Sequence, residues 1–227
     1  MSRRKKLEVL YEDNHLIAVN KPVGMLVHGD STGDHTLADE VKAYIKKKYK
    51  KPGDVFLGVI HRIDRPVSGV VVFARTSKAL ARMNEKVKER EIQKRYKAIV
   101  WERPDELEGQ LVHYIWKDKT RNTVKAFKKE KKGSKKAILN YRFEAEVSHY
   151  IKLDIDLLTG RPHQIRAQLA SIGSPIVGDR KYGYHKFNED KSVCLHCREM
   201  IFEHPVKKER MSIKAPLPKT PIWSLFN

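Results

Sequence analysis

His61-Arg62-Ile63-Asp64-Arg65-Pro66-Val67-Ser68-Gly69 concentrates more chemistry than any other stretch of the chain. One carboxylate stands between two guanidinium groups, in a turn that Pro66 stiffens and Gly69 frees. The apolar run Val70-Val71-Val72-Phe73-Ala74 follows at once and reads as a buried strand. An acid beside a packed strand, with arginines on both sides, is expected to stay ionised, because nearby positive charge favours the charged form. Such a group serves as a nucleophile or base and is a poor proton donor at neutral pH. A lone Asp flanked by Arg is more often a surface ion pair in a turn; the other clusters of the chain overturn that here.

The second cluster is Gly160-Arg161-Pro162-His163-Gln164-Ile165-Arg166. It sets two arginines, a histidine and a glutamine in the first turns of an expected helix, whose free N–H groups favour anions. By itself this pattern is equally well read as an ordinary capped helix with solvated charges. The third is Lys94-Arg95-Tyr96-Lys97-Ala98-Ile99-Val100, a tyrosine leading an apolar strand between cations. Tyrosine can stack on an unpaired base while Lys and Arg hold phosphates, although a core aromatic is the commoner role for such a residue. Cys194-Leu195-His196-Cys197 with His204 has the residue types of a zinc site but not the second matched pair. Thiols packed against the core are the better expectation. The chain carries no Walker lysine loop, no dinucleotide glycine fingerprint and no metalloprotease helix motif.

These residues need elements to hold them. Leu7–Tyr11 and His15–Val19 read as short strands around a turn. Thr36 to Tyr49 reads as an amphipathic helix with Leu37, Val41, Tyr44, Ile45 and Tyr49 inward and Lys46-Lys47-Lys48 outward. A second helix is expected over Ser77–Glu89, with Ser77 as its cap and Leu80, Met83 and Val87 on one stripe. A third is expected from Pro162 to about Gly173, burying Ile165, Leu169 and Ile172 and leaving His163 with Arg166 on another side. From Lys94 to Asp156 the signal is mostly strand, interrupted by the cationic turn Lys128–Lys136, and two further short strands are expected at Val193–His196 and Met200–Glu203. Strands outnumber helices without alternating strictly with them. The fold class is therefore α+β, with a central mixed, mainly antiparallel sheet flanked by helices.

At 227 residues the chain can bury a sizeable core. It carries 47 Lys and Arg against 28 Asp and Glu, a formal charge of +19. That surplus calls for a polyanionic neighbour, with nucleic acid first among them. No apolar stretch approaches the roughly 20 residues needed to cross a bilayer, and two cysteines are too few for a disulfide framework. A soluble protein of a reducing cytoplasm that faces a polyanion, without a membrane partner, is the expectation. Residues 1–6 read as a basic extension, 7–218 as a single domain and 219–227 as a tail.

Taken in order, these pieces resemble the RluA family of pseudouridine synthases, which isomerise selected uridines in RNA. The family's His-Arg-Leu-Asp signature and following Ser-Gly pair are matched by His61-Arg62-Ile63-Asp64 and Ser68-Gly69. Its Asn-Lys-Pro-x-Gly stretch is matched by Asn20–Gly24, its tyrosine strand by Tyr96–Val100, and its Gly-Arg-x-His-Gln-Ile-Arg segment by Gly160–Arg166. Gly178-Asp179-x-x-Tyr-Gly is matched by Gly178–Gly183. Ile63 and Val67 replace the commoner Leu and Thr. The resemblance runs from about Leu7 to Pro218 and implies a short form without the N-terminal S4 domain of many relatives.

The resemblance implies roles. Asp64 is the catalytic carboxylate, acting at the ribose of the target uridine. Tyr96 stacks on the flipped base and assists proton transfer, Arg166 pairs with Asp64 and keeps it ionised and aimed, and Arg62 occupies or props open the gap the uridine leaves. Ile165 either lines the pocket or belongs to the helix core. His61, Arg65, Arg161, His163, Gln164 and Lys21 complete the substrate-binding set. The reaction breaks the C1′–N1 bond, turns the uracil and rejoins it through C5. Nothing is oxidised, so no cofactor and no metal are expected. The implied partner is ribosomal or transfer RNA, and the implied state is a monomer. The alternative is a non-catalytic RNA-binding or remodelling protein on the same scaffold, which has no use for a carboxylate facing a polyanion. A glycoside hydrolase would need a second acid in a comparable motif, which the chain lacks.

Overall fold

The structure, a computed structural model, describes residues 7–29, 33–118 and 120–226. In chain order its elements are β1 (Val9–Glu12), β2 (Leu16–Lys21), α1 (Leu37–Lys48), β3 (Gly58–Val59), β4 (Ser68–Ala74), α2 (Ser77–Glu89) and β5 (Gln93–Val100). They continue as β6 (Glu108–Asp118), β7 (Thr123–Phe127), β8 (Lys135–Val147), β9 (Tyr150–Leu157), α3 (Gln164–Ser171), a 3-10 turn (Arg180–Tyr182), β10 (Leu195–Glu203), β11 (Arg210–Lys214) and α4 (Pro221–Ser224). The result is the expected α+β class, with mixed, mostly antiparallel strand pairing. Met1–Ile92 with Glu199–Pro216 form one compact unit, and Gln93–Arg198 with Leu217–Asn227 another. The basic extension 1–6 lies outside the described residues.

In the first unit β2 pairs antiparallel with β1 and β4, Leu16 facing Ala74 and Lys21 facing Gly69. The valine run of β4 is buried at every position, as a strand covered on both faces must be. A reciprocal capping box of Thr36 and Asp39 starts α1, which buries Leu37, Ala38, Val41 and Ile45. Tyr49 does not point inward as expected. It is 44% exposed, and its hydroxyl joins that of Tyr44 in donating to Glu12. The cap of α2 is Thr76, not Ser77: the Thr76 hydroxyl accepts from the Ala79 N–H at 3.2 Å. Val87, expected on its buried stripe, is exposed; the helix ends two residues beyond it at Glu89, followed by a left-handed Arg90.

The second unit is an antiparallel run in which β5 pairs with β9, β9 with β8, β8 with β6 and β6 with β7. Ala167 of α3 packs with Ile115, Val124 and Ala137 on one face of these strands. The helix begins two residues later than the sequence suggests, because His163 sits in the left-handed region at φ 49°. All six residues from Gln164 to Leu169 are buried, so the polar Gln164, Arg166 and Gln168 are as enclosed as the expected apolar stripe. Ile172 is only half-buried, as the C-cap. A single strand, β10, replaces the two short strands expected near the C-terminus. Cys194 and Cys197 are free and buried, and burial pushes the Cys194 thiol up to about 12.

Candidate active site

Asp64 opens a four-residue turn closed by the Val67 N–H donating to its carbonyl at 3.0 Å, and its side chain is half-buried. The turn runs straight into β4, where Gly69 takes φ 118°, a backbone conformation few side chains tolerate. His61 ties the approach to the same strand: its Nε2 accepts from the Val72 N–H at 3.1 Å. Arg65 is bound to the Asn20–Gly24 loop on two sides. Its Nε donates to the Gly24 carbonyl at 3.0 Å, and its own carbonyl accepts from the Gly24 N–H at 2.9 Å. The same guanidinium pairs with Asp34 at 2.7 Å. His61 and Arg65 thus hold the turn, while Arg62 is exposed.

Lys21 departs furthest from its expected place. It is 0% exposed, and its ammonium donates to the carbonyls of Pro22 (2.9 Å), Met25 (2.8 Å) and Arg65 (3.1 Å). An ammonium has three donors, and here all three are spent on main chain. Burial pushes this amine down to about 7, the Asp64 carboxylate opposing the fall and the Arg65 cation adding to it. Lys21, expected among the substrate-binding residues, is therefore an internal strut of the Asp64 turn.

In the second unit Tyr96 lies on β5 opposite Ile155 and is buried. Arg166 is 4% exposed and grips Asp179 with a fork of two bonds, Nε to Oδ2 at 2.7 Å and Nη2 to Oδ1 at 2.8 Å. Its guanidinium also lies 5.0 Å from the centroid of the Tyr182 ring. The Tyr182 hydroxyl sits 2.7 Å from His163 Nδ1 and accepts from the Val124 N–H at 3.0 Å. Gln164 is buried, its Oε1 accepting from the Thr159 hydroxyl and the Arg161 N–H, while Arg161 Nε donates to the Lys136 carbonyl. Ile165 is 4% exposed. Gln164 and Arg161 fix the loop that enters α3, and His163 fixes the first turn.

Asp179 and Tyr182, which contact Arg166 and His163, are residues to which the sequence alone assigned no role. The signal was present, since both stand in the Gly178–Gly183 match, but nothing in the spacing names Arg166 as the partner. Among the described residues no group of three or more His, Cys, Asp or Glu side chains is arranged to hold a metal ion.

A family model described as RNA pseudouridylate synthase matches residues 15–171. The ribosomal large subunit pseudouridine synthase C of Buchnera aphidicola is 32% identical over 92% of this chain, which spans 66% of that relative's length. The tRNA pseudouridine synthase C of Vibrio parahaemolyticus is 31% identical over 95% of this chain and 92% of its own. In fold, the chain resembles the human RNA Pseudouridylate Synthase Domain Containing 4 with a TM-score of 0.79, at 22% identity over 96% of this chain and 91% of that one. With Asp64, Tyr96 and Arg166 inside the matched span, the chain belongs to the RNA pseudouridylate synthase family.

Proposed function

We propose that the protein isomerises selected uridines of structured RNA, ribosomal large-subunit RNA or transfer RNA, to pseudouridine. It works in the cytoplasm as a monomer, with residues 7–218 acting as one catalytic domain. Asp64 acts at the ribose as the C1′–N1 bond breaks, and the uracil turns and rejoins through C5. Tyr96 offers a ring for the extruded base and assists proton transfer, and Arg166 serves with Asp64 as a catalytic residue. Arg62, exposed beside Asp64 in sequence, takes the gap left in the RNA stack. Extrusion costs a few kcal/mol, which stacking and phosphate contacts offset. Lys21, His61, Arg65, Arg161, His163 and Gln164 position the two segments.

The observation that carries this reading is the investment in one turn. Lys21, His61 and Arg65 all spend hydrogen bonds on holding the segment that presents Asp64. A surface that merely binds RNA gains nothing from a fixed carboxylate, which repels phosphate. The test is Asp64→Asn, assayed for turnover and for RNA affinity side by side. Turnover should be lost while affinity stays within about threefold, because general chemistry of this kind carries factors of about 10²–10⁴ or more. Binding at least tenfold weaker would make Asp64 a structural anchor and remove its catalytic role.

A further inference from the structure

Tyr182 of the 3-10 turn lies against Arg166 and His163, whereas Arg180 of the same turn is exposed. The Arg180 guanidinium lies over one face of the Phe187 ring, 5.0 Å from its centroid. At 56% exposure, Phe187 is the most exposed large hydrophobic side chain among the described residues. The backbone beside it is clipped down. Asn188 Nδ2 donates to the Ser192 carbonyl at 3.1 Å and to the Ser192 hydroxyl at 3.2 Å. A Cβ on Gly178 would stand 2.5 Å from that nitrogen, so a glycine is needed for the clip to close.

More rings share this surface. His185, two residues before Phe187, is exposed, and its ring packs 4.3 Å from that of buried Tyr184. It stands 5.7 Å from the ring of half-buried Trp101, which lies 5.2 Å from the exposed His149 ring. Arg180, Lys181, Lys186 and Lys191 are exposed in the same segment, against the acids Glu189 and Asp190. Asp190 is engaged by the Ser192 N–H at 2.9 Å.

A single exposed apolar residue is ordinary on a protein surface. Rings interleaved with cations are not, and that composition suits single-stranded nucleic acid, in which every base has a π face and every phosphate a charge. A docking protein is better served by a contiguous apolar patch, which the cations and imidazoles here interrupt. We propose that Phe187, His185 and Trp101, with Arg180, form a stacking platform for unpaired nucleotides of the substrate RNA, outside the place that takes the uridine. The identity of that RNA rests on the isomerase reading given above. Arg180 and Tyr182 share one turn, so the platform begins beside the Arg166 anchor. It contributes affinity and no chemistry.

The test is binding of a fluorescein-labelled oligoadenylate of about ten nucleotides and of an abasic ribose-phosphate strand of equal length, read by anisotropy at fixed salt. Phe187→Ala should bind oligoadenylate at least about fivefold more weakly and the abasic strand within about twofold of wild type. Phe187→Trp should restore the affinity for oligoadenylate, and thermal unfolding confirms that both variants are folded. Oligoadenylate affinity unchanged in Phe187→Ala overturns the inference. So does an equal loss on both strands, the mark of a phosphate contact or a disturbed loop. Phe187→Ala should also raise KM for the RNA pool that releases tritium by a similar factor; an unchanged KM means the platform does not serve the substrate and overturns the inference. A folded wild type that releases no tritium, yet binds oligoadenylate through Phe187, overturns the isomerase reading alone. An active wild type whose binding ignores Phe187 overturns the platform alone.

Discussion

The buried ammonium of Lys21 donates to the main-chain carbonyl of Arg65 across 3.1 Å, tying the end of β2 to the turn that presents Asp64. Its other two donors go to Pro22 and Met25, so one side chain shapes both loops. A residue type that normally lies on the surface has become part of the frame of the site.

The bond has a measurable consequence for stability. Burial takes the Lys21 amine from 10.5 to about 7. Between those values the unfolded chain holds a proton that the folded chain has released. This group therefore makes folding more favourable as pH rises through that window, with a slope of at most about 1.4 kcal/mol per pH unit. Unfolding free energies of wild type and Lys21→Met should diverge in favour of wild type from pH 7 toward pH 10. A constant difference would show that the ammonium keeps its ordinary pKa in the fold.

The pair of Arg166 and Asp179 is enclosed, at 4% and 1% exposure. Asp179→Asn leaves a guanidinium facing a neutral amide with little solvent to help. Urea denaturation should show a loss of about 3–5 kcal/mol. A loss under about 1 kcal/mol would mean that the guanidinium finds another acceptor and that Asp179 is not its anchor.

The caps of α2 offer a finer test. Thr76→Ala removes the acceptor for the Ala79 N–H and should cost about 1 kcal/mol. Ser77→Ala, at the residue favoured by the sequence pattern, should stay within about 0.5 kcal/mol. The reverse ranking would place the cap at Ser77.

What the sequence made legible follows the range of the forces involved. The valine run of β4, the helix starting after Thr36 and the Asp64 turn are local patterns, and each stands where its residues indicate. The start of α3 was not legible, because His163 adopts its left-handed conformation beside Tyr182, 19 positions later in the chain. The burial of Lys21 was not legible, because charge type argues for exposure and only the fold supplies three carbonyls to enclose it. The fork from Arg166 to Asp179 was not legible either, since it depends on a loop closing over the helix, which spacing does not encode. The thiols of Cys194 and Cys197 went to the core as expected, since free cysteines behave as small hydrophobes.

The most direct test of the central claim is tritium release from ribosomal and transfer RNA labelled at C5 of uridine, comparing wild type with Asp64→Ala. Release by the wild type and none by the variant is the predicted result, and it would also identify the RNA pool that holds the target. Equal release by both proteins, or none by a folded wild type from either pool, would contradict an Asp64-dependent uridine isomerase.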